Sequence, residues 1–165
     1  MFATPKKENL RSKIKKWSFN LFPAYRNTGG RIHFLSDDFK EIHIKLSLNF
    51  RTRNYVGTVF GGSIFGAADP IYMVQLINIL GENYVVWDKS ANIKFKKPIN
   101  KTVYARFLIT DELLTHIKTT IAEQKKMTLN MTTQFEDETG MVYAEIAREI
   151  FIADKEYYKN NKKSN

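Results

Sequence analysis

NYVGTVFGGSIFGAADP, residues 54–70, sets one acid, Asp69, inside a run that otherwise reads as buried helix and continues as IYMVQLINIL to residue 80. Burying a carboxylate is costly unless a partner meets it, so the acid asks for an explanation. Small residues (Gly61, Gly62, Ser63, Gly66, Ala67, Ala68) fill the first half of the run and large ones the second. That pattern predicts a central buried helix over about 61–80, closely packed on its N-terminal half.

On the N-terminal side, RIHFLS and KEIHIKLSLNF read as antiparallel strands. The second sets Ile42, Ile44, Leu46 and Leu48 on a buried face against His43, Lys45, Ser47 and Asn49. On the C-terminal side, YVVWDKSANIKFKKP and TVYARFLIT alternate as strands. DELLTHIKTTIAEQ puts Leu113, Leu114, Ile117 and Ile121 on one helical face, a short helical insertion near 111–124. KMTLNMTTQFED, a turn at Asp137–Gly140 and MVYAEIAREIFIA form a hairpin, and residues 154–165 read as a polar tail. Ahead of all this, Leu10, Ile14, Trp17 and Leu21 fall at helical spacing with lysines opposite, an amphipathic helix over about 7–22 that stops at Pro23. Two readings stand for it: its apolar face packs on the domain and its basic face is solvated, or it lies on a membrane surface or a lipid-like ligand. The chain of 165 residues suits a single α+β domain, with a core over about 31–153.

There is no cysteine, which excludes disulfides, thiolate zinc sites and a cysteine nucleophile and fits a cytoplasmic protein. The N-terminus lacks the apolar stretch and cleavage site of a signal peptide, and no run approaches the roughly 18 apolar residues of a membrane span. His33, His43 and His116 sit at no metal-ligand spacing and read as surface residues; no metal is expected. The net charge is +9, of which residues 1–26 carry seven Lys/Arg against Glu8, a net +6. Such an excess attracts anions, but no nucleic-acid motif accompanies it and no nucleic-acid partner is expected.

Asn54, Gly57-Thr58, Phe60-Gly61-Gly62 and Asp69 together resemble the motif of the phenylacetic-acid-type hotdog acyl-CoA thioesterases, in which an acid follows the second glycine by seven residues. The departure is Phe60, where the better-known members carry His. Phe-Gly-Gly, Ala-Asp-Pro, Trp87-Asp88-Lys89 and the helical insertion are more similar to a subfamily that is formally a domain of unknown function within the same superfamily. The resemblance covers roughly residues 8–153. It implies a hotdog fold: a curved antiparallel sheet of about six strands wrapped around the central helix. It also implies paired protomers, as a dimer or tetramer, with sites shared at their interface.

Carried over residue by residue, the resemblance makes the Gly61 N–H an oxyanion donor, Asp69 the general base or nucleophile, and Asn54 the holder of a water or polar substrate group. Phe60 and Gly62 flank that point. Asp88, with Lys89 and Ser90 adjacent, stands where members position the water, and Lys96 and Lys97, with Lys94 and Lys101, would meet the phosphates of coenzyme A or a carrier protein. No cofactor is implied beyond coenzyme A as part of the substrate.

Physical chemistry supports the same site. A helix N-terminus offers unpaired N–H groups and a positive dipole end, and glycine admits a ligand to that backbone. Gly61 and Asp69 are about 12 Å apart along a helix, so one chain cannot bring both to one carbonyl. Each residue also has a structural reading: Asp69-Pro70 as an N-cap with proline behind it, the glycine pair as close packing, Asn54 as a turn residue, the lysines as a solvated face, and Asp88-Lys89 as an ion pair. The expected activity is hydrolysis of an acyl thioester. The alternative is a non-catalytic hotdog that binds acyl ligands, with a dehydratase last because no His lies near the motif. Ile64, Phe65, Tyr72 and Met73 are candidates to line the acyl pocket or to be core.

Overall fold

A computed structural model describes residues 8–162. Six strands, β1 (Gly30–Leu35), β2 (Glu41–Leu46), β3 (Tyr84–Phe95), β4 (Val103–Leu108), β5 (Lys126–Glu136) and β6 (Val142–Asp154), form one antiparallel sheet in the order β1-β2-β4-β5-β6-β3. Its inner face holds α3 (Gly61–Ala68) and α4 (Ile71–Leu80), and this is the hotdog architecture that the sequence led us to expect. Ala67, Ala68, Ile71 and Leu76 of the helices are fully buried with Ile44, Leu46, Ala105, Phe107, Phe135 and Ile146 of the strands.

The segment Gly61–Leu80 is in fact long and apolar enough to cross a membrane by length and composition, contrary to the expectation from apolar runs. Here it packs against the sheet instead. Its helix is also not continuous. Pro70 has no N–H to give to the preceding turn, and the chain jogs at Asp69–Pro70 before α4 begins.

The small residues of α3 have the partner their size implied. A Cβ built on Gly30 would come within 2.6 Å of Ala67 Cβ and 3.2 Å of its Cα, and one on Gly66 would meet Thr28 at 3.0 Å. The helix therefore rides against β1 and against a short helix, α2 (Pro23–Thr28). We expect Gly30→Ala to cost roughly 1–3 kcal/mol, because backbone rather than a flexible side-chain tip must give way. A urea melt that left stability unchanged would show that α3 can retreat freely.

The helical insertion α5 (Asp111–Gln124) has the expected bounds, with Thr110 Oγ1 accepting from Leu113 N as its cap and Leu114, Ile117 and Ile121 buried. The amphipathic helix stops ahead of Pro23, as expected, and Pro23 stands at the first position of the next helix, α2, where a missing N–H costs nothing. Three expectations are corrected. The described part of the C-terminal tail is helix α6 (Lys155–Lys162), capped by Asp154 Oδ1 accepting from Tyr157 N and pinned where Tyr158 meets Trp87 edge to face; residues 163–165 lie outside the described ones. His43 is buried, not a surface residue. It packs on Phe34 and sits 2.8 Å from Glu41, which also accepts from Arg106, and burial pushes its imidazole below the usual value.

The third correction concerns the amphipathic helix, α1 (Leu10–Leu21), which begins later than expected and, against the first of the two readings, turns its apolar side away from the domain. Its polar side meets the domain. Asn20 donates to Ile32 O and accepts from Ile32 N, both at 2.8 Å, and Lys16 Nζ donates to His33 O. β1 is an edge strand whose outer backbone groups need polar partners, and that requirement turns the helix over. Residue 7 of the expected span lies outside the described residues.

Candidate functional site

Two clusters hold the residues singled out from the sequence. The first is a groove of about 400 Å³ at the start of α3, lined by Asn54, Thr58, Gly61, Ile64, Phe95, Lys96, Lys97 and Pro98 among others. Phe60 is the N-cap residue of α3 and offers no side-chain cap. The N–H groups of Gly61 and Gly62 have no acceptor among the described residues, as the opening of a helix dictates. Two rings close over the glycines: a Cβ on Gly61 would lie 2.9 Å from the Phe95 ring, and one on Gly62 2.3 Å from the Phe60 ring. Close packing thus accounts for both glycines, and it leaves their N–H groups unpaired. Phe60 and Phe95 remain more than half exposed.

Asn54 organises the loop that leads into the helix. Its Oδ1 accepts from Val56 N and Thr58 N, its Nδ2 donates to Thr58 Oγ1, and Gly57 supplies the positive φ of the turn. The carboxamide is spent on its own loop except for one N–H. The lysines divide in a similar way. Lys96 Nζ is 3.0 Å from Glu145 and Lys101 Nζ is 3.2 Å from Asp137, whereas Lys97 has no acidic partner among the described residues.

The second cluster was not legible in the motif. Arg148, on the inner face of β6 between Ile146 and Ile150, is buried to 1% side-chain exposure and forks between two acids. Nη1 donates to Asp88 Oδ2 at 2.7 Å and Nη2 to Asp69 Oδ1 at 2.9 Å, while the guanidinium lies 5.4 Å from the centre of the Phe65 ring. Asp69 is therefore neither an N-cap nor unpaired: the N-cap of α4 is Pro70, without a side-chain bond, and the Asp69 carboxylate turns to β6. Its side chain is 53% exposed, and Oδ2 has no partner among the described residues. The alternation of β6, which sets Ala144, Ile146, Ile150 and Ile152 inward, also sets Arg148 inward. A lone Arg in that register was the signal that an acid must be waiting for it.

Asp88, Lys89 and Ser90 do not act together. A bulge in β3 at Lys89, between the pairs Asp88↔Ile150 and Ser90↔Glu149, flips the strand's faces. Asp88 turns to Arg148, not to Lys89, and Ser90 Oγ donates to Glu149 on the other side at 2.7 Å. Burial pushes the Asp88 carboxyl above the usual range, with Arg148 opposing and Asp69 adding to the rise. Asp88 Oδ1 and Arg148 Nε are buried without a hydrogen-bond partner. Of the suggested pocket residues, Ile64 lines the groove and Phe65 borders Arg148, but Tyr72 is core, edge-on to Phe107 with its hydroxyl on Thr132 O. Among the described residues no group of His, Cys, Asp or Glu is placed to hold a metal ion.

Residues 11–152 match the family profile described as a domain of unknown function, DUF4442. Among solved structures, the chain is similar to a Pseudomonas aeruginosa protein of unknown function called a probable thioesterase, at 17% identity and TM-score 0.75, over 86% of this chain and 95% of that one. It is also similar to a Chlorobaculum tepidum protein of unknown function, at 17% identity and TM-score 0.69 over 88% and 95% of the two chains. A Haemophilus influenzae thioesterase follows at 13% identity and TM-score 0.63 over 90% and 94%. No curated protein matches the chain. At these identities the likeness is one of fold.

Proposed function

The chain belongs to the DUF4442 family, and from that membership and the two half-sites we propose that it hydrolyses an acyl thioester, of coenzyme A or a carrier protein, at sites shared between two protomers. One observation carries the reading: the unpaired N–H groups at the start of α3 and the free oxygen of Asp69 are both present and both incomplete on one protomer. Eight residues of α3 hold them about 12 Å apart. Hotdog structures called thioesterases support the same reaction.

In the proposed step, the thioester carbonyl lies in the groove and its oxygen accepts from Gly61 N–H. Asp69 of the second protomer takes a proton from water as the water oxygen bonds to the carbonyl carbon. Collapse of the tetrahedral species breaks the C–S bond, the thiolate takes up the proton, and a free acid and a thiol leave. Asp88 and Arg148 position Asp69 and touch no substrate. Pairing would run along β3, a 12-residue edge strand with one neighbour, β6.

The test is thiol release by the purified protein from acyl-CoAs that range from short to long and aromatic. Binding without release would favour the second reading, an acyl-binding hotdog, whose supporting observation is Phe60: an apolar ring stands beside the oxyanion position and supplies no donor.

The lysines give a separate expectation. Because Glu145 already holds Lys96, Lys97→Ala will weaken acyl-CoA binding more than Lys96→Ala, by about threefold to tenfold at low salt, with the difference fading as salt rises. Equal, salt-independent affinities would leave Lys97 on a solvated face.

A further inference from the structure

The exposed side of α1 has no counterpart in the reaction. Leu10, Ile14, Trp17 and Leu21 are 73%, 57%, 66% and 41% exposed, and Phe22, just beyond the helix, is 61% exposed. At 100° per residue the four helical residues fall within about 60° of one another, and Ser12, Lys16 and Phe19, which face the domain, lie opposite. Arg11 and Lys13 flank the stripe and are exposed, as is Arg26 in α2. The helix cannot simply roll over to bury its apolar side. Its polar side is fixed by the paired bonds of Asn20 to Ile32, by Lys16 on His33 O, and by Ser12 on Asp37 and Asn9.

We propose that α1 seats the protein on an anionic lipid surface. A narrow apolar stripe that includes a tryptophan and has a cation on either side is the arrangement that lies in the headgroup region of a bilayer, apolar chains inward and cations at the phosphates. The charge is concentrated where this needs it, since residues 1–26 hold a net +6 of the chain's +9. A second copy is a poorer occupant: Leu10–Leu21 holds four cations and no acid, so pairing two copies through this stripe brings like charge together whichever way the helices run. The inference does not depend on the thioesterase reading.

The experiment is co-sedimentation of the full chain with vesicles of phosphatidylcholine alone and of phosphatidylcholine mixed with phosphatidylglycerol. The expected result is binding to the anionic vesicles, weakened by salt, and reduced on the order of tenfold or more in Ile14→Glu/Trp17→Glu. Both positions are exposed, so the variant should melt as the wild type does. In a Trp87→Phe background, Trp17 emission should shift to the blue on the anionic vesicles with no other change to the protein. No sedimentation with either vesicle at low salt would overturn the proposal. So would binding that Ile14→Glu/Trp17→Glu leaves unchanged, or a wild-type oligomer that this variant breaks apart while vesicles are ignored.

Discussion

Replacing Asp69 with Asn will lower thiol release by about 10²–10⁴-fold and leave the protein folded, if Asp69 is the group that takes the proton. The geometry makes the substitution clean. Arg148 Nη2 donates to Asp69 Oδ1, and an Asn carbonyl oxygen can accept that same bond. Only the second oxygen changes, from a free acceptor with negative charge to an amide that cannot take a proton. Because the Asp69 side chain is 53% exposed, the loss of charge should shift stability by no more than about 1 kcal/mol. Arg148 keeps Asp88, and Asp88, relieved of a neighbouring anion, moves back toward the ordinary carboxylate range. Acyl-CoA should still raise the melting temperature of the variant, since the groove at Gly61 is untouched. Loss of turnover with that thermal shift retained assigns Asp69 to the chemistry. Undiminished turnover would move the base elsewhere, and absence of turnover in both proteins with binding intact would point to the acyl-binding alternative.

What was readable in the sequence was what nearest neighbours decide. The strands, α5 and the hairpin at Asp137–Gly140 follow from local periods, and their observed bounds fall within a few residues of those read from the chain. The switch at residue 61 from alternation to a helical run, with small residues first, carried the fold, because only a helix embraced by a sheet needs that order. The misreadings are long-range. The apolar stripe of α1 suggested a face turned inward, but the β1 edge offers backbone groups and selects Asn20 and Lys16 instead. The bulge at Lys89 separates Asp88 from Ser90, and no local signal marks it. His43 fits the outward register yet is covered by Phe34 and paired with Glu41. In the candidate site, the resemblance pointed to Asp69 and the glycines. Arg148, 79 residues on, was not legible, although its place among Ile146, Ile150 and Ile152 is unusual for a charge. It answers the question that Asp69 poses: an acid in an apolar helix has a buried cation across from it.

Removing that cation should have the largest effect on stability of any single change here. In Arg148→Met the mostly buried Asp88 carboxyl is left with no partner, and its Oδ1 already lacks one. Breaking a buried pair in this way costs about 3–5 kcal/mol, roughly 6–20 °C in Tm for a chain of this size. Arg148→Lys should rescue little, since one ammonium cannot fork between Asp69 and Asp88 as the guanidinium does. The pH dependence separates this from simple loss of packing. Asp88 is already raised by burial, with Arg148 pulling it down, so without Arg148 it rises further. An acid whose folded value exceeds its unfolded value near 3.9 makes the folded state hold the extra proton. The penalty is therefore smallest at the acid end, grows as pH rises through the folded value, and is complete above it. Relative to wild type, the Tm deficit of Arg148→Met should widen as pH rises above about 4, and Arg148→Met/Asp88→Asn should flatten that trend and recover part of the loss. A deficit that is constant with pH, and that Asp88→Asn does not relieve, would mean that Arg148 serves the core by its volume and not by its charge.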